Sequence, residues 1–220
     1  GDVGQESLNF TGKETMSIKS EVFDRLFIDD GITINELSGG NNLQYLVLQS
    51  GRKSRPAFAN RQTDRIEVLE QKDMLTAGIK PKNAEQIFAL HALQNPDVYL
   101  VTLTGPAGTG KTLLAIASAI QQKVDFQKIY VARPNVSLSN KDIGYLPGDS
   151  KQKTDPWMQP VWDNVNYIKL VYEKSQQKKE ASKIKTMIEE EKIEVLPLAF
   201  IRGRTLTNCF LIVDEAQNLT

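Results

Sequence analysis

The spacing of hydrophobic and polar residues changes along the chain and divides it into two parts. Near the N-terminus, Val22, Leu26 and Phe27 fall at helical spacing and predict one apolar side of a short helix. From residue 32 the pattern becomes that of β-strands, with short apolar runs separated by turns rich in Gly and Ser. These runs cover residues 32–37, 43–48 and 56–59. The pattern predicts a small antiparallel hairpin or meander within residues 1–78.

Longer and more apolar elements follow from residue 79 onward. A helix is expected to begin at Asn83 and to end near residue 95, and residues 98–104 form an apolar run of strand length. A second helix follows that run, and residues 157–191 have a mainly helical pattern. The other strand-like runs are residues 128–132, 194–200 and 209–213. Strands that alternate with helices predict an α/β domain over residues 79–220, with a parallel sheet covered by helices on both faces.

Composition limits the classes of function. The 220 residues include 27 Lys and Arg against 27 Asp and Glu, so no global basic field attracts nucleic acid. Cys209 is the only cysteine, which excludes an internal disulfide, and no apolar run approaches the roughly 20 residues that span a bilayer. We therefore expect a cytoplasmic protein without a membrane partner. Because the first residue is Gly1, we also expect the chain to be a fragment of a longer protein.

A glycine-rich segment between the apolar run at 98–104 and the next helix carries the clearest chemical signal. It reads Gly-x-x-x-x-Gly-Lys-Thr, the P-loop pattern, in the context of strand and helix that the motif requires. In such a loop the backbone N–H groups point at phosphate oxygens, Lys111 neutralises the β and γ phosphates, and Thr112 offers its hydroxyl to Mg²⁺. We expect ATP, or a close nucleoside triphosphate, to bind with Mg²⁺ to Gly105, Pro106, Ala107, Gly108, Thr109, Gly110, Lys111 and Thr112.

A second motif follows the apolar run at 209–213. Asp214 and Glu215 end this run, an arrangement typical of a Walker B element. We expect Asp214 to hold Mg²⁺ through water and Glu215 to orient or deprotonate the attacking water, with Lys111 as the third catalytic residue. The continuation Asp-Glu-Ala-Gln, which ends at Gln217, resembles the form of this motif in helicase-like ATPases.

Several polar residues outside the two motifs are open to two interpretations. Gln86 resembles the glutamine of the helicase Q-motif, which contacts adenine, but its spacing from Asn83 also fits a capping box. Arg133 fits either a nucleic-acid path or an anchor for nearby carboxylates. Arg202 and Arg204 fit phosphate or subunit contacts, or salt bridges within the chain. The candidates for contacts with nucleic acid or another subunit are Arg133, Arg202, Arg204 and Gln217.

Three stretches of the sequence read GPAGTGKTLLA, ARPNVSLSNKDIGYLPGDSKQKTDPWMQPVWDN and LPLAFIRGRTLTNCFLIVDEAQN, and together with the Gln86 helix they cover most of residues 80–220. These stretches resemble the PhoH-like family of P-loop ATPases. The sequence departs from the family pattern at residues 137–140 and 151–153. The resemblance implies a RecA- or helicase-like core that hydrolyses ATP with Mg²⁺ and, in the parent protein, a ring of identical subunits.

The resemblance also implies what surrounds this core. In one branch of the family a PIN ribonuclease domain precedes it, and residues 32–59 resemble the connector that follows PIN. We expect neither a PIN domain nor a nuclease site in this chain. The chain stops just after the Walker B element, so we expect a C-terminally incomplete sheet and weak or absent hydrolysis by this chain alone.

The leading functional hypothesis is an ATPase that couples hydrolysis to unwinding or remodelling of single-stranded RNA or DNA. One alternative is a small-molecule phosphotransferase, which requires an acceptor pocket and an arginine-rich lid. Another is a nucleotide-gated assembly module with negligible turnover. Stimulation of turnover by nucleic acid distinguishes the first hypothesis from the other two.

Overall fold

The structure is a computed structural model that describes residues 14–38, 44–134 and 155–219. The chain divides into two compact units, one made of residues 1–75 and 80–92 and the other of residues 76–79 and 93–220. The sequence analysis predicts two domains, residues 1–78 and residues 79–220, and these bounds stay a prediction. None of the helices in the described ranges is both long and apolar enough to cross a membrane.

The first unit is built on a four-stranded sheet with the order β1-β2-β3-β4. Strand β1 pairs in parallel with β2, whereas β2 with β3 and β3 with β4 are antiparallel. The predicted hairpin is therefore confirmed, and it turns between Ser50 and Lys53. The strands are β1 (Thr15–Ser17), β2 (Tyr45–Ser50), β3 (Lys53–Asn60) and β4 (Arg65–Val68), and the helices that accompany them are α1 (Ser20–Arg25), α2 (Ile34–Ser38) and α3 (Ala84–Gln94).

The strand expected at residues 32–37 is wrong, because α2 occupies most of this segment. Thr33 and Glu36 form a reciprocal cap: the Thr33 N–H donates to Glu36 Oε2 at 2.8 Å, and the Glu36 N–H donates to Thr33 Oγ1 at 3.3 Å. A capping pair at this spacing satisfies N–H groups at a helix start and favours a helix over a strand. Of the expected strand, only an isolated bridge between Thr33 and Arg65 remains.

Strand β2 is buried on both faces of this sheet, because its side chains alternate between two apolar clusters. On one face, Leu46 and Leu48 of β2 pack with Ile32 and Ile34. On the other, Tyr45 and Val47 of β2 pack with Ile87 and Phe88 of α3. This second cluster places the only histidine of the sequence, His91, beside the ring of Phe58 with a centroid separation of 4.5 Å.

The second unit contains a parallel sheet with the order β6-β5-β7, which confirms the predicted α/β class. Helix α4 contacts β7, α6 contacts β6, and α5 packs between α4 and α6, so these helices form one layer on the sheet. The buried side chains Ile129, Val131 and Ile212 point toward one face. The elements are α4 (Lys111–Gln121), β5 (Lys128–Arg133), α5 (Gln159–Lys174), α6 (Lys178–Glu189), β6 (Ile193–Pro197) and β7 (Cys209–Val213).

The strand expected at residues 98–104 is also wrong. Tyr99 and Leu100 are 97% and 84% exposed, and the described part of the chain provides no strand that pairs with this segment. An apolar run becomes a strand only where a neighbouring backbone satisfies its N–H and C=O groups. The P-loop therefore follows a segment that no described strand pairs with, whereas the helix expected after the loop is confirmed as α4.

The partly buried environment of His91 predicts that the stability of the chain depends on pH. The Tyr45 hydroxyl lies 2.8 Å from His91 Nδ1, and burial lowers the pKa of His91, although the charge of Glu67 acts in the opposite direction. The unfolded state therefore binds a proton more readily than the folded state, so stability is full above the usual histidine pKa and falls as the pH drops below it.

We expect the urea midpoint to be lower at pH 5.5 than at pH 7.5, as followed by circular dichroism. The variant His91→Gln keeps an acceptor for Tyr45 but has no imidazole to protonate, so its midpoint should change less between the two pH values. An equal change in both proteins would contradict the assignment.

Candidate functional site

The backbone of the P-loop is curved by two glycines in a conformation that other residues rarely adopt. Gly108 has φ 80° and Gly110 has φ 84°, both in the left-handed region. Gly110 is also the N-cap of α4, and its carbonyl accepts the N–H of Leu114 at 2.9 Å. The N–H groups of the first turn of α4 therefore remain available for a ligand at the end of the loop.

Lys111 folds over the loop that precedes it. Its Nζ donates to the carbonyls of Gly105 at 2.5 Å and Pro106 at 2.8 Å, and it lies 3.4 Å from Thr109 Oγ1. The ammonium group is thus held against the glycine loop, and the motif requires a positive charge beside phosphate oxygens there. This position fits the role that the sequence predicts for Lys111.

Thr112 connects the P-loop to the Walker B element. Its hydroxyl donates to Asp214 Oδ1 at 2.7 Å, although the two residues are 102 positions apart in the sequence. Thr112 belongs to the first turn of α4, whereas Asp214 directly follows β7. The fold therefore brings the two predicted motifs into direct contact at one edge of the parallel sheet.

The sheet itself determines where Asp214 lies. Strand β7 runs parallel to β5, with Val213 opposite Ala132, and the Asp214 N–H donates to the Ala132 carbonyl at 2.8 Å. This bond extends the ladder by one step and aligns Asp214 with Arg133, the last residue of β5. Because the carboxyl ends of parallel strands share one edge, Arg133 and Asp214 meet there.

Arg133 makes a fork of contacts at this edge. Its Nε and Nη2 each donate to Asp214 Oδ2 at 3.0 Å, and Nη2 lies 3.4 Å from Glu215 Oε1. The third nitrogen, Nη1, donates to the Trp157 carbonyl at 3.2 Å. These contacts agree with the interpretation of Arg133 as an anchor for the carboxylates, while its place in a nucleic-acid path stays a prediction.

Glu215 has an unusual backbone conformation for a residue with a side chain. Its φ is 56°, in the left-handed region, which costs of order 1–3 kcal/mol and occurs often at functional sites. The side chain is about half exposed, and Oε2 accepts from Asn218 Nδ2 at 3.4 Å. The sequence predicted neither this backbone conformation nor the contact with Asn218. The run Asp-Glu-Ala-Gln-Asn contains no glycine that would indicate a positive φ at Glu215.

Gln86 takes part in a helix cap in the first unit. The Asn83 side chain accepts the Gln86 N–H at 2.9 Å, and Gln86 Oε1 accepts the Lys82 N–H at 2.8 Å. These contacts agree with the capping interpretation, while the adenine-reading role stays a prediction.

The remaining candidates lie after β6 and after β7. Arg204 reaches Glu194 at 3.5 Å, which is a salt bridge within the chain, whereas Arg202 is exposed without an ion pair among the described residues. Gln217 is exposed in the short turn Ala216–Asn218. Much of the family-like stretch that begins at Ala132 covers residues 135–154, which lie outside the described residues.

Comparisons with known proteins show which family this sequence resembles. A family model described as PhoH-like protein matches residues 78–220. The protein PhoH2 of Bacillus subtilis (strain 168) is 36% identical over 219 residues, which cover 96% of this chain and 48% of that protein. A PhoH-like protein of Synechocystis is 43% identical over 144 residues, which cover 64% of this chain and 40% of that protein. The protein PhoH2 of Mycolicibacterium smegmatis is 32% identical over 216 residues, 96% of this chain and 46% of that protein. The chain thus spans about half the length, or less, of these relatives.

The ion pair of Arg133 and Asp214 predicts a measurable contribution to stability. The two side chains are only 17% and 11% exposed, so Asp214→Asn leaves a largely buried guanidinium opposite a neutral amide. We expect a loss of about 1–3 kcal/mol in the free energy of unfolding, measured by chemical denaturation.

The control is Glu189→Gln, which removes the exposed partner of Lys185 at 3.8 Å. Exposed pairs contribute little, so the control should change the free energy of unfolding by about 0.5 kcal/mol or less. If both substitutions lowered the free energy of unfolding by the same amount, the ion pair of Arg133 and Asp214 would contribute no more to stability than an exposed pair.

Proposed function

Because the chain belongs to the PhoH-like family of P-loop NTPases, we propose that it binds ATP with Mg²⁺ at the P-loop and hydrolyses it. The observation that carries this proposal is the hydrogen bond of 2.7 Å between Thr112 and Asp214. It joins the loop that would bind the phosphates to the carboxylates that would serve the metal and the water. A glycine-rich turn without a ligand requires no such contact with the end of β7.

The oxygen atoms of Thr112 and Asp214 fit Mg²⁺ chemically. Magnesium prefers hard oxygen ligands and keeps several waters in its coordination shell. Since the Thr112 hydroxyl donates a hydrogen bond to Asp214, the lone pairs of the hydroxyl oxygen remain for a metal, and the carboxylate can accept hydrogen bonds from metal-bound water. When bound, magnesium would reduce the charge on the β and γ phosphate oxygens.

The other residues of the site have separate roles in the proposed reaction. Lys111 and the N–H groups of the P-loop bind the phosphate oxygens and stabilise the charge that develops on them. Glu215 accepts a proton from the attacking water, and its half-exposed position after Asp214 suits contact with solvent. Arg133 and Asn218 hold the Glu215 carboxylate from two sides, which restricts its orientation.

We further propose that turnover is coupled to single-stranded RNA or DNA. Support comes from the Asp-Glu-Ala-Gln form of the Walker B element, which resembles that of helicase-like ATPases, and from the exposed Arg202 in the turn before β7. An exposed guanidinium suits contact with a phosphate backbone or with a neighbouring subunit.

Substitution of the P-loop lysine tests the nucleotide site. The variant Lys111→Ala removes the ammonium that neutralises the phosphates, so we expect the affinity for a fluorescent ATP analogue to fall about tenfold or more. The control Lys185→Ala removes an exposed lysine of α6 and should bind like the parent protein. Equal affinity of Lys111→Ala and the parent would overturn the proposed site.

Substitution of Glu215 separates binding from hydrolysis. The variant Glu215→Gln keeps the shape of the side chain but accepts a proton poorly, so ATP affinity should be retained while turnover falls about 100-fold or more. Turnover is measured by phosphate release from the full-length protein, with and without single-stranded RNA, and Glu189→Gln is the matched control.

Stimulation of the parent protein by RNA would support coupling to nucleic acid. Turnover that RNA leaves unchanged would contradict that coupling and leave the ATPase proposal intact. Normal turnover by Glu215→Gln would remove Glu215 from its catalytic role.

A further inference from the structure

Arg133 is the one cation that contacts both Walker B carboxylates within the described residues. Asp214 Oδ2 accepts from two of its nitrogens at 3.0 Å, and Glu215 Oε1 lies 3.4 Å from one of them. The two oxygens of Asp214 therefore have different partners: Oδ1 accepts from the Thr112 hydroxyl, and Oδ2 accepts from Arg133. A single guanidinium thus partly neutralises two negative charges at the centre of the site.

These contacts also restrict what else Arg133 does. All three nitrogens of the guanidinium have acceptors within the protein, and the side chain is 17% exposed. A residue that reads a nucleic-acid backbone needs free donors that face solvent. The geometry favours a role directed at the carboxylates.

We propose that Arg133 is a positioning residue that serves as the resident counter-cation of Asp214 and Glu215 and competes with Mg²⁺ for Asp214. This inference rests on the proposed ATP site. The guanidinium partly neutralises the negative charge of Asp214, so the carboxylate attracts hydrated Mg²⁺ less strongly. Half-saturation of the site therefore requires a higher Mg²⁺ concentration. The guanidinium also reduces the repulsion between the triphosphate and the two carboxylates, so the nucleotide can bind in the absence of Mg²⁺.

The two consequences have opposite signs, which makes the proposal specific. Loss of the positive charge should strengthen the binding of Mg²⁺, because the carboxylates then attract the metal without a competitor. The same loss should weaken metal-free nucleotide binding, because uncompensated carboxylates repel phosphate. A merely structural role would impair both kinds of binding together, and a nucleic-acid contact would change neither.

The test is a titration of a fluorescent ATP analogue against the parent protein and its variants, in EDTA and over a series of Mg²⁺ concentrations. Arg133→Gln and Arg133→Met remove the charge, while Arg133→Lys retains it. The matched control is Lys128→Gln, at the opposite end of the same strand, where the lysine pairs with Glu194 at 2.6 Å. Five residue steps along the strand separate the two positions by about 16 Å, beyond the Debye length of about 8 Å at physiological salt.

For the neutral variants we expect the half-saturating Mg²⁺ concentration to fall about threefold or more and the Kd in EDTA to rise about threefold or more. Arg133→Lys and Lys128→Gln should keep both values within about twofold of the parent. Unchanged values in folded neutral variants, or losses of affinity in both conditions, would overturn the proposal. If circular dichroism shows that both neutral variants are unfolded, Arg133 is a structural residue and the proposal also fails. Absence of nucleotide binding by the parent would instead overturn the ATP site itself.

Discussion

The hydrogen bond between Thr112 and Asp214 is the contact on which the proposed site depends. It joins the first turn of α4 to the residue that follows β7, and both ends are fixed by backbone interactions. Gly110 sets the start of the helix through its left-handed conformation, and the Asp214 N–H is bound to the Ala132 carbonyl. The contacts of the chain itself therefore position the P-loop and the two carboxylates relative to each other.

The electrostatic arrangement of the site follows from the parallel sheet. Strands β5 and β7 end side by side, so a cation at the end of one strand meets carboxylates at the end of the other. Asp214 is largely buried, and a buried carboxylate without a partner is unfavourable. Arg133 removes that cost and also restrains Glu215. In our proposal, the same ion pair of Arg133 and Asp214 also sets how strongly the site attracts a metal ion.

Much of this arrangement could be predicted from the sequence, because the motifs carry their own context. The sequence predicted the strand at 209–213, the helix after the P-loop, and the P-loop and Walker B motifs themselves. It did so because the spacing of apolar residues and the positions of glycines are local signals. The strands expected at 98–104 and 32–37 were wrong, because pairing partners and the Thr33–Glu36 cap decide those segments. The role of Arg133 was left open, since it depends on the register of β5 against β7, which the sequence does not reveal.

The most direct test of the account is a double-mutant cycle on nucleotide affinity in the presence of Mg²⁺, with Thr112→Val, Asp214→Asn and the combined variant. If the two side chains act through one contact at one metal position, the combined variant should lose little more affinity than the weaker-binding single variant. The coupling free energy should then be about 1 kcal/mol or more. Additive losses, with a coupling free energy near zero, would contradict the claim that this hydrogen bond organises the site.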